Sequence, residues 1–224
     1  MCIQVKICGL SSEEALDSAI EAGADYAGFV FFERSPRNVP VKRAAQLARR
    51  AEGHIQTVAL IVDATDIVIE EIVEGFAPSY LQLHGSETVS RIEAIRSLSR
   101  TSIIKAIKVG SAAGLAAARD FEAVSDILLF DAQVLVPDAL PGGNGLSFDW
   151  TWLPGASLRP DFMLSGGLNA GNVLEALGAS GALSADVSSG VETSPGVKSP
   201  ALIKQFVKIA KSFAPARAVS TGAA

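Results

Sequence analysis

Apolar positions along this chain come in short β-branched runs, each followed by a stretch with helical spacing. Ile3 to Ile7 is the first such run, and Ser11-Ser12-Glu13-Glu14 then opens an Ala-rich amphipathic stretch that stops near Gly23. That pair predicts one strand followed by one helix. The alternation repeats: Tyr26 to Phe31 precedes a helix from about Val41, and Ile55 to Val62 precedes one from about Ala64 to Gly75. Tyr80 to Leu83 then leads through Gly85-Ser86-Glu87 into a fourth helix. Ser102 to Ile107 leads into the stretch Ala112 to Arg119, and Ile127 to Phe130 opens a long Pro- and Gly-containing loop. Phe162 to Leu164 precedes a helix after Asn169, and Ala182 to Val187 leads through a glycine-containing loop to a final helix from about Pro200 to Phe213.

Strands separated by helices need crossover connections, which favour parallel pairing. Eight such units in about 210 residues predict an α/β fold, a single closed (β/α)8 TIM barrel. The barrel domain is expected over residues 1–213, with 214–224 an Ala-rich C-terminal tail. An open doubly wound sheet is the alternative, but the Gly-rich turn it needs after the first strand is missing, since only Gly9 stands there.

Composition narrows the partners. A formal net charge of −5 argues against broad electrostatic binding to nucleic acid or anionic membranes, so any positive site is local. Cys2 and Cys8 lie too far apart along one extended segment to close a disulfide, which fits a reducing compartment. Gln4 and Lys6 interrupt the first apolar stretch and Asp63, Asp66, Glu70 and Glu71 interrupt the greasiest one. Neither a secretory leader nor a membrane span is expected, and a cytoplasmic protein is.

In a barrel of this kind the chemistry sits at the C-terminal ends of the strands. Those ends carry Cys8 and Gly9; Arg34, Ser35, Pro36 and Arg37; His84 and Gly85; and Asp131 followed by Gly142-Gly143-Asn144-Gly145. The last two carry Ser165-Gly166-Gly167 and Ser188-Ser189-Gly190. Glycine clusters at three neighbouring ends let backbone N–H groups approach an anion, and a barrel's habitual phosphate position is after strands seven and eight.

Alternation adds direction. If Ile3, Val5 and Ile7 face the helices, Lys6 and Cys8 face the barrel axis, Gln82 faces with His84, and Ile127 and Leu129 face with Asp131. An inward lysine must find an anion, and Asp186 on the neighbouring last strand is the expected partner. Lys105 raises the same question with either direction open.

The strings Val5-Lys6-Ile7-Cys8-Gly9, Gly28-Phe29-Val30-Phe31, Ser35-Pro36-Arg37 and Leu81-Gln82-Leu83-His84-Gly85 stand in order along the chain. After them come Gly142-Gly143-Asn144-Gly145, Leu164-Ser165-Gly166-Gly167-Leu168 and Asp186-Val187-Ser188-Ser189-Gly190-Val191-Glu192. Together they resemble the phosphoribosylanthranilate isomerases from about residue 3 to 212. The resemblance implies an Amadori rearrangement of N-(5-phosphoribosyl)anthranilate in tryptophan biosynthesis, with Cys8 as general base and Asp131 as general acid. It also implies Arg37 on the anthranilate carboxylate and phosphate held around Gly143, Gly145, Gly166, Gly167, Ser189 and Gly190, with His84 lining the site or orienting its loop.

Acid and base must act on neighbouring atoms in opposite protonation states. Cys8 is expected to draw on positive potential from Lys6 and backbone dipoles, and Asp131 on burial or a nearby anion. A histidine-pathway isomerase would carry an aspartate at Cys8, and indoleglycerol-phosphate synthase a lysine and glutamate set. A silent phosphate-binding barrel would be favoured by loss of Cys8 or Asp131. No cofactor or metal is expected, since His54 and His84 sit on separate strands. The expected partner is a small phosphorylated substrate, with the protein a monomer or homodimer. The loop between Asp131 and Gly142 carries the greasy run Val134-Leu135-Val136-Pro137-Asp138, a departure from the family pattern that leaves any lid role unassigned.

Overall fold

The computed structural model describes residues 2–133, 142–156, 158 and 162–214, so the greasy run at 134–138 and all but the first residue of the proposed tail lie outside the described residues. Eight parallel strands close in chain order: β1 (Gln4–Cys8), β2 (Tyr26–Phe31), β3 (Gln56–Ile61), β4 (Tyr80–Leu83), β5 (Ser102–Val109), β6 (Ile127–Ala132), β7 (Met163–Leu164) and β8 (Ser184–Val187). The ring is sealed by β1 pairing with β8, in a register that sets Lys6 beside Asp186. This is the (β/α)8 barrel that the alternation predicts.

The outer ring holds α1 (Glu13–Ala22), α2 (Val41–Ala51), α3 (Asp66–Phe76), α4 (Val89–Ser99), α5 (Arg119–Glu122), α6 (Val173–Ser180) and α7 (Pro200–Lys211). Side chains cap several of their starts: Ser12 accepts from the Ala15 N–H, Thr65 from Val68, Thr88 from Arg91 and Ser199 from Leu202. Gly23 ends α1 in the left-handed region, at φ 82°, where its N–H caps the carbonyls of Ala19 and Ile20.

Two stretches differ from the sequence expectation. Ala112–Ala118 is a 3-10 helix and only Arg119–Glu122 is α-helical, as Gly114 in so short a run weakens the α form. Between β6 and β7 the described residues hold the 3-10 turns Trp150–Trp152 and Pro154–Ala156 where an α-helix would complete the pattern.

Strand alternation separates two cores. Ile3, Val5, Ile7, Phe29, Ile61, Leu81, Ile103 and Phe130 face the helices, while Tyr26, Val58, Ile104, Ala106, Leu129 and Met163 fill the barrel. Lys105 belongs to the outward set: its Nζ donates to the carbonyls of Gly85 (2.9 Å) and Leu83 (3.4 Å) and pairs with Glu87 Oε2 at 2.6 Å. Both cysteines are free, Cys2 exposed and Cys8 buried. Among the described residues no helix is long and apolar enough to cross a membrane.

Candidate active site

A cavity opens at the C-terminal mouth of the barrel. Cys8 from β1 and Asp131 from β6 both line it, together with Arg37, His84, Asp186 and Ser189. The residues expected from the sequence to bind or act on the substrate therefore line one cavity, with two exceptions in placement. Lys6 lies beneath the floor, wholly buried, and Gly190 packs its α-carbon against the Leu168 carbonyl, leaving no room for a side chain.

Lys6 Nζ donates to Asp186 Oδ1 at 2.8 Å, and Asp186 Oδ2 accepts from the Ser165 hydroxyl at 3.1 Å. Burial by itself would lower the Lys6 ammonium, but Asp186 and the Cys8 sulfur more than offset it and hold it above its ordinary value. For Cys8 the balance runs the other way. Burial raises the thiol and Asp186 adds to the rise, while the Lys6 and Lys198 ammoniums oppose it without overcoming it. The positive potential expected at Cys8 is present, then, but does not outweigh desolvation. Gly28 makes room for the pair: a Cβ there would sit 3.2 Å from both Cys8 Sγ and Lys6 Cε.

Asp131 is buried, its Oδ1 accepting from the Ala132 N–H at 3.0 Å and its Oδ2 lying 3.2 Å from His84 Nε2. The loop after His84 is pinned from outside the barrel. Glu87, held by Lys105, accepts from the N–H groups of Asp63 (3.0 Å) and Gly85 (3.1 Å), and Asp63 in turn accepts from Ser86 at 2.7 Å. Burial pushes the Glu87 carboxyl up, but the Lys105 ammonium and backbone N–H donors, that of Asp63 among them, hold it below the ordinary range.

Sequence reasoning missed one element of the mouth. After β8 the chain makes a hairpin, β9 (Glu192–Ser194) and β10 (Val197–Lys198), turning at Pro195-Gly196 with Gly196 at φ 85°. It delivers Glu192 to Arg37, which donates from Nε and Nη2 to the two carboxylate oxygens at 2.8 Å each. Lys198 Nζ joins at 2.6 Å and also donates to the Ser188 carbonyl at 3.0 Å. Glu192 thus lies between two buried cations, which lower its carboxyl against the opposing effect of burial, and burial lowers Lys198 despite Glu192. Glu192 stands in one of the strings quoted above; the Pro-Gly turn was the signal that Lys198 would fold back beside it.

The glycines gather as expected. Gly143, Gly145, Gly166 and Gly167 all have positive φ, between 63° and 89°, and line the mouth near Ser189. Gly145 is close to Ser189 Oγ, and any Cβ on Gly167 would lie 3.0 Å from the Gly145 carbonyl. Such turns expose backbone at van der Waals range to a bound anion. Among the described residues no group of three or more His, Cys, Asp or Glu side chains is placed to hold a metal ion.

A closed parallel barrel with buried thiol, imidazole and carboxyl side chains beside a glycine-lined recess at this mouth is the build of a sugar-phosphate isomerase of the TIM-barrel class. A family model described as N-(5'phosphoribosyl)anthranilate (PRA) isomerase matches residues 5–209, and the chain belongs to that family. It is 48% identical over 212 residues to an N-(5'-phosphoribosyl)anthranilate isomerase of Azorhizobium caulinodans, covering 95% of this chain and 93% of that one. Among solved structures it is similar to the phosphoribosyl anthranilate isomerase of Thermotoga maritima, with a TM-score of 0.82 and 32% identity over 93% of this chain and 98% of that one. A phosphoribosyl anthranilate isomerase in complex with reduced 1-(o-carboxyphenylamino)-1-deoxyribulose 5-phosphate is similar with a TM-score of 0.81 and 30% identity, over the same shares of the two chains. The reaction of this chain is the isomerisation of N-(5-phosphoribosyl)anthranilate to 1-(2-carboxyphenylamino)-1-deoxyribulose 5-phosphate in tryptophan biosynthesis.

Proposed function

We propose that Cys8 is the general base and Asp131 the general acid of this rearrangement. The observation that carries the reading is that the two side chains, more than a hundred residues apart in sequence, line one cavity beside the glycine recess. Asp131 protonates the furanose ring oxygen as the C–O bond breaks, leaving a protonated Schiff base at the first sugar carbon. Cys8 as thiolate then takes the proton from the second carbon, and the electron pair moves in to neutralise the iminium. The enolamine so formed tautomerises to the ketone.

The raised thiol has a place in this order of events. A cationic iminium beside Cys8 joins Lys6 and Lys198 in favouring the thiolate, so the base is strengthened when its proton becomes removable. Arg37 is the group for the anthranilate carboxylate: with Nε and Nη2 committed to Glu192, its remaining donor face meets the cavity near Gly143. Backbone around Gly143, Gly145, Gly166, Gly167, Ser189 and Gly190 takes the phosphate, and Lys6 and Asp186 support the floor. One chain supplies all these groups, as a single domain over 1–213 with 214–224 as a tail, which fits a cytoplasmic monomer or homodimer.

The test follows the loss of anthranilate-type fluorescence on adding fresh substrate to wild type, Cys8→Ser and Asp131→Asn. Each substitution is expected to lower kcat by about 10²–10⁴-fold. Undiminished turnover in either variant would remove that residue from its role.

A further inference from the structure

Gln82 and His84 stand two apart on β4 and share the inner face of the barrel. Gln82 is fully buried, with its amide Nε2 2.9 Å from Nδ1 of His84, whose Nε2 lies 3.2 Å from Oδ2 of Asp131. Three side chains thus form one line from the barrel interior to the mouth. An amide nitrogen has only protons to offer, so Nδ1 accepts, and a neutral imidazole that accepts on one nitrogen carries its proton on the other.

We propose that Gln82 is a positioning residue that holds His84 as the neutral tautomer protonated on Nε2, and that His84 in this form supplies Asp131 with a hydrogen-bond donor. The proposal rests on the reading of Asp131 as the acid. An imidazolium at this distance would place a full positive charge against the carboxyl and keep it ionised, with no proton to give. A second proton on His84 would have to sit on Nδ1, against the amide N–H of Gln82 in a buried site. The neutral donor instead leaves the acid its proton and meets the negative charge as it develops on Asp131 during transfer to the ring oxygen.

The surroundings hold this line in place. The Ala132 N–H fixes the other carboxyl oxygen of Asp131. Bare backbone closes over the contact, since a Cβ on Gly142 would lie 2.8 Å from His84 Nε2 and 3.2 Å from Asp131 Oδ2. The far end of the amide, Oε1, is buried with no hydrogen-bond partner among the described residues. Turning the amide would bring Oε1 to Nδ1, draw a proton there and leave Nε2 an acceptor. The two orientations demand opposite tautomers, which makes them separable by experiment.

Nitrogen-15 NMR of labelled histidine reads the tautomer directly, and the chain has only two histidines, so His54→Gln leaves the His84 signals alone. At neutral pH the full-length protein is expected to show a protonated Nε2 and an unprotonated Nδ1. A proton on Nδ1, alone or with Nε2, would overturn the proposal. Gln82→Glu places an acceptor at Nδ1 and is expected to give doubly protonated His84, with kcat down roughly tenfold or more and KM within about twofold. Gln82→Met keeps the length without the hydrogen bond and serves if a buried carboxylate prevents folding. It is expected to mix the two neutral tautomers and to lower kcat several-fold by the same selective route. Wild-type kcat in a folded Gln82→Met protein, alongside an inactive Asp131→Asn, would sink the Gln82 proposal alone, whereas an active Asp131→Asn would sink the acid reading on which it stands.

Discussion

Replacing Lys6 by Met tests the energetics of the barrel floor. The ammonium is wholly buried and sits 2.8 Å from Asp186, which is also almost fully covered. Removing one member of such a pair leaves an uncompensated charge in a dry site, at a cost of about 3–5 kcal/mol. That is a large share of the roughly 5–15 kcal/mol that holds a typical domain folded. With a urea slope of roughly 3 kcal/mol/M for a chain of this size, a loss of about 4 kcal/mol lowers the unfolding midpoint by about 1.3 M. Asp186→Leu is expected to cost a similar amount, and somewhat more because the Ser165 hydroxyl loses its acceptor.

The double variant is the discriminating one. With both charges gone the site is apolar, and its stability is expected within about 2 kcal/mol of wild type, far from the sum of the single losses. Equilibrium urea unfolding followed by tryptophan fluorescence measures all four proteins. The Lys6 ammonium is raised by folding, so its contribution is complete below the unfolded lysine value of about 10.4 and fades only as pH climbs through the folded one. Measurement at pH 7.5 therefore sees the full effect. Single losses under about 1 kcal/mol that simply add would refute the view that the pair is dry and coupled.

Three further outcomes are expected. Because burial raises the Cys8 thiol, kcat/KM should climb with pH past the ordinary thiol value of about 8.5, and Lys6→Met should push that limb higher; a wild-type plateau already reached at pH 7 would contradict it. Gly142→Ala, at a position whose backbone tolerates a side chain, should displace the His84–Asp131 contact and lower kcat by about 10²-fold while leaving the urea midpoint near wild type; unchanged kcat would show that the contact has slack. Glu192→Gln strips the anion from between Arg37 and Lys198 and should cost about 3 kcal/mol at pH 7. Since the Glu192 carboxyl is lowered by folding, its contribution is present above the unfolded value of about 4.3 and lost as pH falls through the folded one. Wild type and variant should therefore converge in urea midpoint on the acid side, and parallel curves would count against this assignment.

Much of the barrel was legible because periodicity two and periodicity 3.6 alternate cleanly along the chain. The inward set of β1 followed from Ile3, Val5 and Ile7, and with it came the Lys6–Asp186 pair. The same counting put Gln82 with His84 and Leu129 with Asp131, as the structure has them. What stayed hidden obeys no period. Lys105 shares its strand with apolar residues on both faces, so alternation could not say that it turns outward to Glu87. Lys198 reaches Glu192 only through a hairpin, and the wish of each buried ion for a partner cannot be located until the backbone brings them together. The 3-10 turns after β6 likewise reflect tertiary docking of Trp150 and Trp152 against the outer core more than any local helical preference.

The lysine of the first strand and the aspartate of the last are 180 residues apart, and their union lies across the seam where the barrel shuts. A ribosome-bound chain that has not yet emitted β8 has neither the carboxylate for Lys6 nor the final neighbour for β1. Closure is consequently a precondition of competence, and the first enzyme activity in a refolding or translation experiment sets a latest time for the joining of the seam.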